Sequence, residues 1–468
     1  MGTSTSKAKK RAQIRLMQKV IFALFALCLI MFVVDVVCVI VLIVKNATSS
    51  KSTKVPVISS ITSVADTSEA STSETTEATT ETTLPAATIK ELLADNNLSN
   101  DYWGPLPDVA EVKTATHHDV RGIYCAAAAK LDANIELAKK TDINAFVIDL
   151  KDETNGVLFN SDNEFAKSMK LWSYKRDSDG NETWKDMGNY VQSLYNLENV
   201  VQKCHEAGIT VIGRIVCFND LSLAHNHPEM SIKDESGNSM KFKLEKYHQF
   251  ANPYDSKVWD FLIDLAVEAI NKGVDEIQFD YVRFPTISTK SGEKPYFGPE
   301  DSTPTRIDAI NRFLQTARRR VQDTYGIPLT ADVFGIILSS ELDGKLIGQG
   351  WSTIGLTGVD AVCPMVYPSH YATNTVLNGK NFDKPDLYPY EIMYNALIMG
   401  KDEADQSGFA VVRPYVQAFT ASYLGEGKYL SYKNNPEPVK AQIKAIQDAG
   451  YSEWILWNAS ADYSGKYN

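Results

Sequence analysis

The chain has 468 residues, a formal net charge of −11 and 44% hydrophobic residues. An acidic balance of that size argues against a polyanionic partner such as nucleic acid. The six cysteines form no C-x-x-C pair and fall in apolar elements, so they read as small core residues and not as a disulfide or metal framework.

Residues 1–19 form a basic tail with Lys7, Lys9, Lys10, Arg11, Arg15 and Lys19. Residues 20–44 follow as an apolar run whose single charge is Asp35. A bilayer-spanning helix needs about 20 such residues. The positive charge in front of the run predicts a single pass through the cell membrane, with the N-terminus cytoplasmic and the rest of the chain extracellular. The run is longer than the apolar part of a signal peptide and lacks an A-x-A-like cleavage site. Residues 45–86 are dominated by Ser, Thr and Glu, a composition that buries too little surface to order itself, which predicts a disordered linker. Residues 87–468 remain as the one segment able to build a large core.

Within that segment β-rich runs alternate with helical ones. The predicted strands are 121–126, 145–151, 210–218, 276–284, 329–335, 361–367, 411–419 and 453–458. Glycines in HEAGIT (205–210), NKGVDE (271–276) and QDAGYSE (447–453) mark helix ends just ahead of the next strand. A helix over 256–272 starts at Ser256 or Asp255, either of which suits an N-cap. Eight strands alternating with helices predict an α/β fold, a (β/α)8 TIM-type barrel. No glycine-rich loop follows the first strand, as an open dinucleotide-binding sheet would require. The last strand leaves too little chain for an eighth helix, and the segment around 88–118 is the candidate to cover that gap.

Each strand can be phased by turning its apolar alternate residues toward the helices. Asp149, Arg214, Gln278, Asp280 and Asp332 then face the barrel interior, and Tyr367, Gln417 and Asn458 fall at the ends of the last three strands. In this fold the C-terminal strand ends carry the chemistry. Several acids, an arginine and aromatic residues suit glycosidic bond cleavage, which uses two carboxyl groups, one charged and one protonated. Asp280 is the candidate nucleophile, with Arg214 or Arg283 to hold its charge. Asp332, beside Phe334, is the candidate acid, and Asp149 and Asp152 are in reserve. Trp351, Tyr367, Tyr371 and Trp457 are the aromatic candidates for stacking on sugar, and His370 could bond a sugar hydroxyl. His225 and His227 lack an obvious third ligand, so neither a metal nor a cofactor is expected. The pattern G-x-S-x-G is absent, which argues against serine catalysis.

The motifs VIDLKDETNGVLFNSD (147–162), GRIVCFND (213–220), DEIQFDYVRFP (275–285), ADVFG (331–335), PMVYPSHY (364–371), RPYVQAFT (413–420) and WILWNAS (454–460), in this order and spacing, resemble a bacterial family of predicted glycoside hydrolases. That family is a barrel group related to the α-amylase-like glycosidases, and the resemblance spans about residues 119–463. It implies a TIM-type barrel, cleavage of sugar bonds and a nucleophile at Asp280. α-Amylase-like barrels carry Arg two residues before that Asp, where this chain has Gln278, and a Glu acid after strand five, where this chain offers Asp332. The site is therefore not a standard amylase site. The expected function is a membrane-anchored extracellular glycoside hydrolase with a polysaccharide or oligosaccharide substrate, docked on the lipid bilayer through residues 20–44. A non-catalytic wall-binding barrel and a transglycosylase are the alternatives.

Overall fold

The computed structural model describes residues 100–287, 292–298 and 304–467. The basic tail, the apolar run at 20–44 and the linker at 45–86 lie outside the described residues. No helix among the described residues is long and apolar enough to cross a membrane.

Eight parallel strands form the barrel: β1 (Arg121–Cys125), β2 (Ala145–Asp152), β3 (Thr210–Val216), β4 (Glu276–Asp280), β5 (Leu329–Phe334), β6 (Ala361–Met365), β7 (Tyr415–Gln417) and β8 (Trp454–Trp457). Each pairs with the next, and β1 pairs with both β2 and β8, which closes the ring. The fourth and seventh strands fall furthest short of the predicted lengths. Pro414 splits the seventh into Val411–Val412 and Tyr415–Gln417, because proline has no N–H for the ladder. The fourth stops at Asp280 because Tyr281 turns into the left-handed region, with φ +50°.

Helices α1 (Ala127–Ala138), α2 (Leu197–Glu206), α3 (Ser256–Asn271), α4 (Arg306–Arg318), α5 (Glu341–Ile347), α6 (Pro389–Met399) and α7 (Glu437–Asp448) link successive strands. In α3, Asp255 is the N-cap and accepts from the Lys257 N–H at 2.9 Å. Its inner face buries Val258, Leu262, Leu265, Ala266 and Ala269 completely, each large aliphatic contributing about 1.5–3 kcal/mol. Gly208 and Gly273 follow α2 and α3 with φ +71° and +98°, a conformation that any side chain would strain.

No helix follows β8 among the described residues. The C-terminal tail covers the gap instead: the Tyr463 hydroxyl donates to Tyr124 O at 2.9 Å and Leu456 O at 3.0 Å, and Tyr467 packs on Trp454 at 5.4 Å. The described part of the 88–118 segment lies elsewhere, which corrects the expectation for it. Trp103 packs against Trp259 of α3 at 5.3 Å, and the Lys113 N–H donates to Asp323 O at 2.7 Å beyond α4.

An insertion between β2 and α2 is absent from the sequence reading. Gly156–Phe159 pairs antiparallel with β2 and parallel with Val191–Tyr195, while Lys170–Arg176 and Glu182–Asn189 form a separate hairpin. Buried Lys151 anchors its foot, reaching Asp220 at 2.8 Å, and Asp220 also accepts from the Tyr190 hydroxyl.

Between its ends the barrel interior is largely apolar, with Val147, Ile212, Cys363, Tyr415 and Ile455 around Gln278, and it is charged at both ends. At the N-terminal floor Arg413 lies between Glu276 (2.5 Å) and Glu453 (2.7 Å). Cys125, Cys204, Cys217 and Cys363 are buried and unpaired.

Candidate active site

The C-terminal mouth is built on a second arginine shared by two acids. Arg214, inward on β3, donates from Nη1 to Asp149 Oδ1 at 2.5 Å and from Nε and Nη2 to Asp280 Oδ2 at 2.9 and 2.5 Å. The strand register explains the grouping, since Asp149 on β2 is aligned with Arg214 on β3 and Val216 with Asp280 on β4. Burial alone would lower the Arg214 pKa, but the charges of Asp149 and then Asp280 carry it well above its ordinary value. Asp149 Oδ2 accepts from the Tyr124 hydroxyl at 2.7 Å.

Asp280 ends its strand, and its Oδ1 accepts from the Tyr281 N–H at 2.5 Å. The left-handed backbone at Tyr281 costs about 1–2 kcal/mol for a residue with a Cβ.

Asp332 lies inward on β5 and is 1% exposed. Neither of its oxygens has a hydrogen-bond partner. Tyr415 is close enough to temper its charge, but donates its hydroxyl to Gln278 Oε1 at 2.7 Å. Burial, reinforced by the charge of Asp280 and opposed by Arg214, pushes the Asp332 carboxyl well above the usual range and favours its neutral form.

Aromatic rings line the mouth. Trp457 packs on Tyr124 at 4.4 Å and lies 5.6 Å from the Arg214 guanidinium. Tyr367 contacts exposed His370 at 5.0 Å. Trp351 is outside this group, since its Nε1 donates to Gly400 O at 2.8 Å.

Five of the predicted site residues have other partners. Gln278 is fully buried beneath the mouth and spans the barrel to Tyr415 and Cys363. Gln417 is also fully buried and joins Asp386 at 2.8 Å to the Ser369 N–H at 3.1 Å. Asn458 caps the tail, donating to Asp462 O at 2.7 Å. Arg283 pairs with Glu245 at 2.8 Å instead of with Asp280. Asp152 accepts from Thr154 N and Asn155 Nδ2, both at 2.8 Å, in a tight turn. Short polar side chains at strand ends find such local partners readily.

One residue was missed. Glu153, on the turn after β2, is half-buried and lies in the electrostatic field of Asp152, Arg214 and Asp149. Burial first, and Asp152 second, push its carboxyl up to about 7. The signal for it is an acid placed where a strand runs into the turn sequence TNG.

His225 stacks on Trp184 at 4.0 Å, while His227 stacks on Phe165 and bonds Glu229 at 3.0 Å. Among the described residues no group of three or more His, Cys, Asp or Glu is arranged to hold a metal ion.

A family described as "Putative glycosyl hydrolase domain" matches residues 120–463. The chain belongs to this family. The match begins one residue before β1 and runs through all eight strands to Tyr463, so the family domain is the barrel together with its covering tail. A hypothetical protein from Ruminiclostridium thermocellum is 30% identical, with 45% of this chain and 97% of that one covered and a TM-score of 0.34. The PgaB (BpsB) glycoside hydrolase domain from Bordetella bronchiseptica is 11% identical over 76% of this chain and 99% of that one, with a TM-score of 0.48. The spore cortex-lytic enzyme SleL from Bacillus megaterium is 12% identical over 78% and 76%, with a TM-score of 0.39. No protein of curated function matches the chain.

Proposed function

We propose that this family member is a glycosidase acting on a cell-wall or extracellular polysaccharide, held at the outer face of the cell membrane by residues 20–44. The observation that carries this reading is Arg214 shared between Asp149 and Asp280 at the catalytic end of the barrel. Asp280 acts as the nucleophile. Its position at a strand end, with a fixed guanidinium on one oxygen and a backbone N–H on the other, fixes its aim. Asp149 and Tyr124 hold Arg214 in place. Half-buried Trp457 offers a ring face to a sugar and exposed His370 a hydrogen bond, while Tyr367 is buried against His370. Asp332, sealed from solvent, adds no third negative charge while neutral, so Arg214 has only two acids to balance.

A non-catalytic glycan-binding barrel is the second reading. It is favoured by the same pairing, since Arg214, Asp149 and Asp280 are only 6%, 11% and 7% exposed. The test is to incubate the full-length chain with purified peptidoglycan and with extracellular polysaccharides, and to assay new reducing ends. Soluble products support the glycosidase, while retention on the glycan without product on long incubation supports the binder. Products longer than the substrate would mark a transglycosylase using the same carboxylates.

A further inference from the structure

We propose that Glu153 is the general acid and base that serves Asp280, an inference that rests on the glycosidase reading. Glycosidic cleavage needs a second carboxyl group that carries a proton, faces the substrate and lies near the nucleophile. The other acids at the mouth each fail one of these conditions, Asp152 because it is held by the Thr154 N–H and Asn155 Nδ2. Asp149 is committed to Arg214 and Tyr124. Asp280 is committed to Arg214 and the Tyr281 N–H. Asp332 is neutral but 1% exposed, with both oxygens shut away from solvent.

Glu153 is the acid here left without such a commitment. It is half-buried and makes no hydrogen bond or ion pair with another side chain, and it directly follows the last residue of β2. The charged and titratable groups coupled to it electrostatically come from three elements: Asp149 and Asp152 from β2, Arg214 from β3 and Tyr281 beyond β4. Its backbone is firmly placed. Asp152 ties the turn through Thr154 and Asn155, and Asp152 and Gly156 are paired across it. Gly156 has φ +68°, and a Cβ there would lie 2.5 Å from Tyr190 O, so only glycine fits this close approach. A fixed backbone below a long, unpaired side chain suits a group that must follow a proton between two steps. Its carboxyl, pushed up to about 7 by burial and by Asp152, holds a proton on the acid side of neutrality.

In the first step the Glu153 proton passes to the glycosidic oxygen as the bond from that oxygen to C1 breaks. The bonding pair stays on the oxygen, and Asp280 forms an ester bond to C1. In the second step Glu153, now a carboxylate, takes a proton from water. The water oxygen bonds to C1, and Asp280 leaves with the ester pair.

The test compares the full-length wild type with Glu153→Gln and Asp280→Asn. Each is assayed on paired 4-methylumbelliferyl and 2,4-dinitrophenyl glycosides, and melting curves confirm that each variant is folded. Glu153→Gln should lose about 10²–10⁴-fold on the methylumbelliferyl substrates. It should lose far less on the dinitrophenyl ones, whose leaving group needs no proton, and the alkaline limb of the pH profile near 7 should disappear. Equal losses on both, or a full rate with the limb intact, overturn the assignment while loss of activity in Asp280→Asn leaves the glycosidase reading standing. A wild type that cleaves nothing in these pairs or among the polysaccharides overturns both.

Discussion

The barrel holds two clusters at opposite ends, each an arginine between two carboxylates. At the floor Arg413 pairs with Glu276 and Glu453, and at the mouth Arg214 pairs with Asp149 and Asp280. The pair distances are alike, 2.5 and 2.7 Å below and 2.5 Å for both pairs above. What differs is the surroundings. The floor is closed by protein: Thr330 donates to Glu276 at 3.0 Å, His117 contacts Glu453 at 2.6 Å, and His118 O accepts from Arg413 at 3.3 Å. The mouth instead adjoins half-buried Trp457 and exposed His370, a strained turn at Tyr281, an unpartnered Asp332 and an unpaired Glu153. A sealed ion cluster can only support the fold, whereas one left open on a side at the catalytic end can act on a ligand.

The contrast breaks most visibly at the floor. Arg413→Ala strands two buried acids, and a loss of about 3–5 kcal/mol is expected, read as a fall in the urea midpoint. A loss below about 1 kcal/mol would remove the distinction between the ends.

Asp332→Asn sharpens the mouth. The folded pKa of Asp332 lies above its ordinary value, so its contribution is complete below about pH 3.9 and is lost as pH rises toward the folded value. Replacing it with an uncharged amide should raise the Tm at neutral pH by on the order of a few °C and change little near pH 4. An equal shift at both pH values would show that Asp332 is charged in the fold.

The smallest effect belongs to His117, which bridges Asp360 at 2.7 Å and Glu453 at 2.6 Å. Burial lowers its pKa, but Asp360 and Glu453 outweigh it and the net shift is upward. The stabilisation is thus complete below about pH 6.5 and fades as pH rises through the folded value. With the ring about one-third exposed, the effect should stay below about 1 kcal/mol. Melts of wild type and His117→Gln from pH 5 to 9 should converge at high pH, and parallel curves would contradict the bridge.

The eight strands were legible because apolar alternation survives wherever one strand face meets helices and the other meets the barrel interior. Asp149, Arg214, Asp280 and Asp332 could be phased for that reason. The insertion after β2 was not legible, since most positions of Lys170–Arg176 and Glu182–Asn189 are half-buried or exposed and carry little apolar pattern. Arg283 looked available to Asp280 because its partner Glu245 lies on a distant loop, a pairing that local sequence cannot disclose. Glu153 was not legible, because the strand phasing that finds inward side chains stops where the strand stops.

The most direct measurement pairs product release with thermal unfolding for Asp280→Asn in the full-length chain. Hydrolysis should be abolished with the Tm nearly unchanged, because Arg214 keeps Asp149 as its partner. Full hydrolysis by a folded Asp280→Asn would contradict a catalytic mouth, and unfolding on the scale expected for Arg413→Ala would make the mouth a second structural floor.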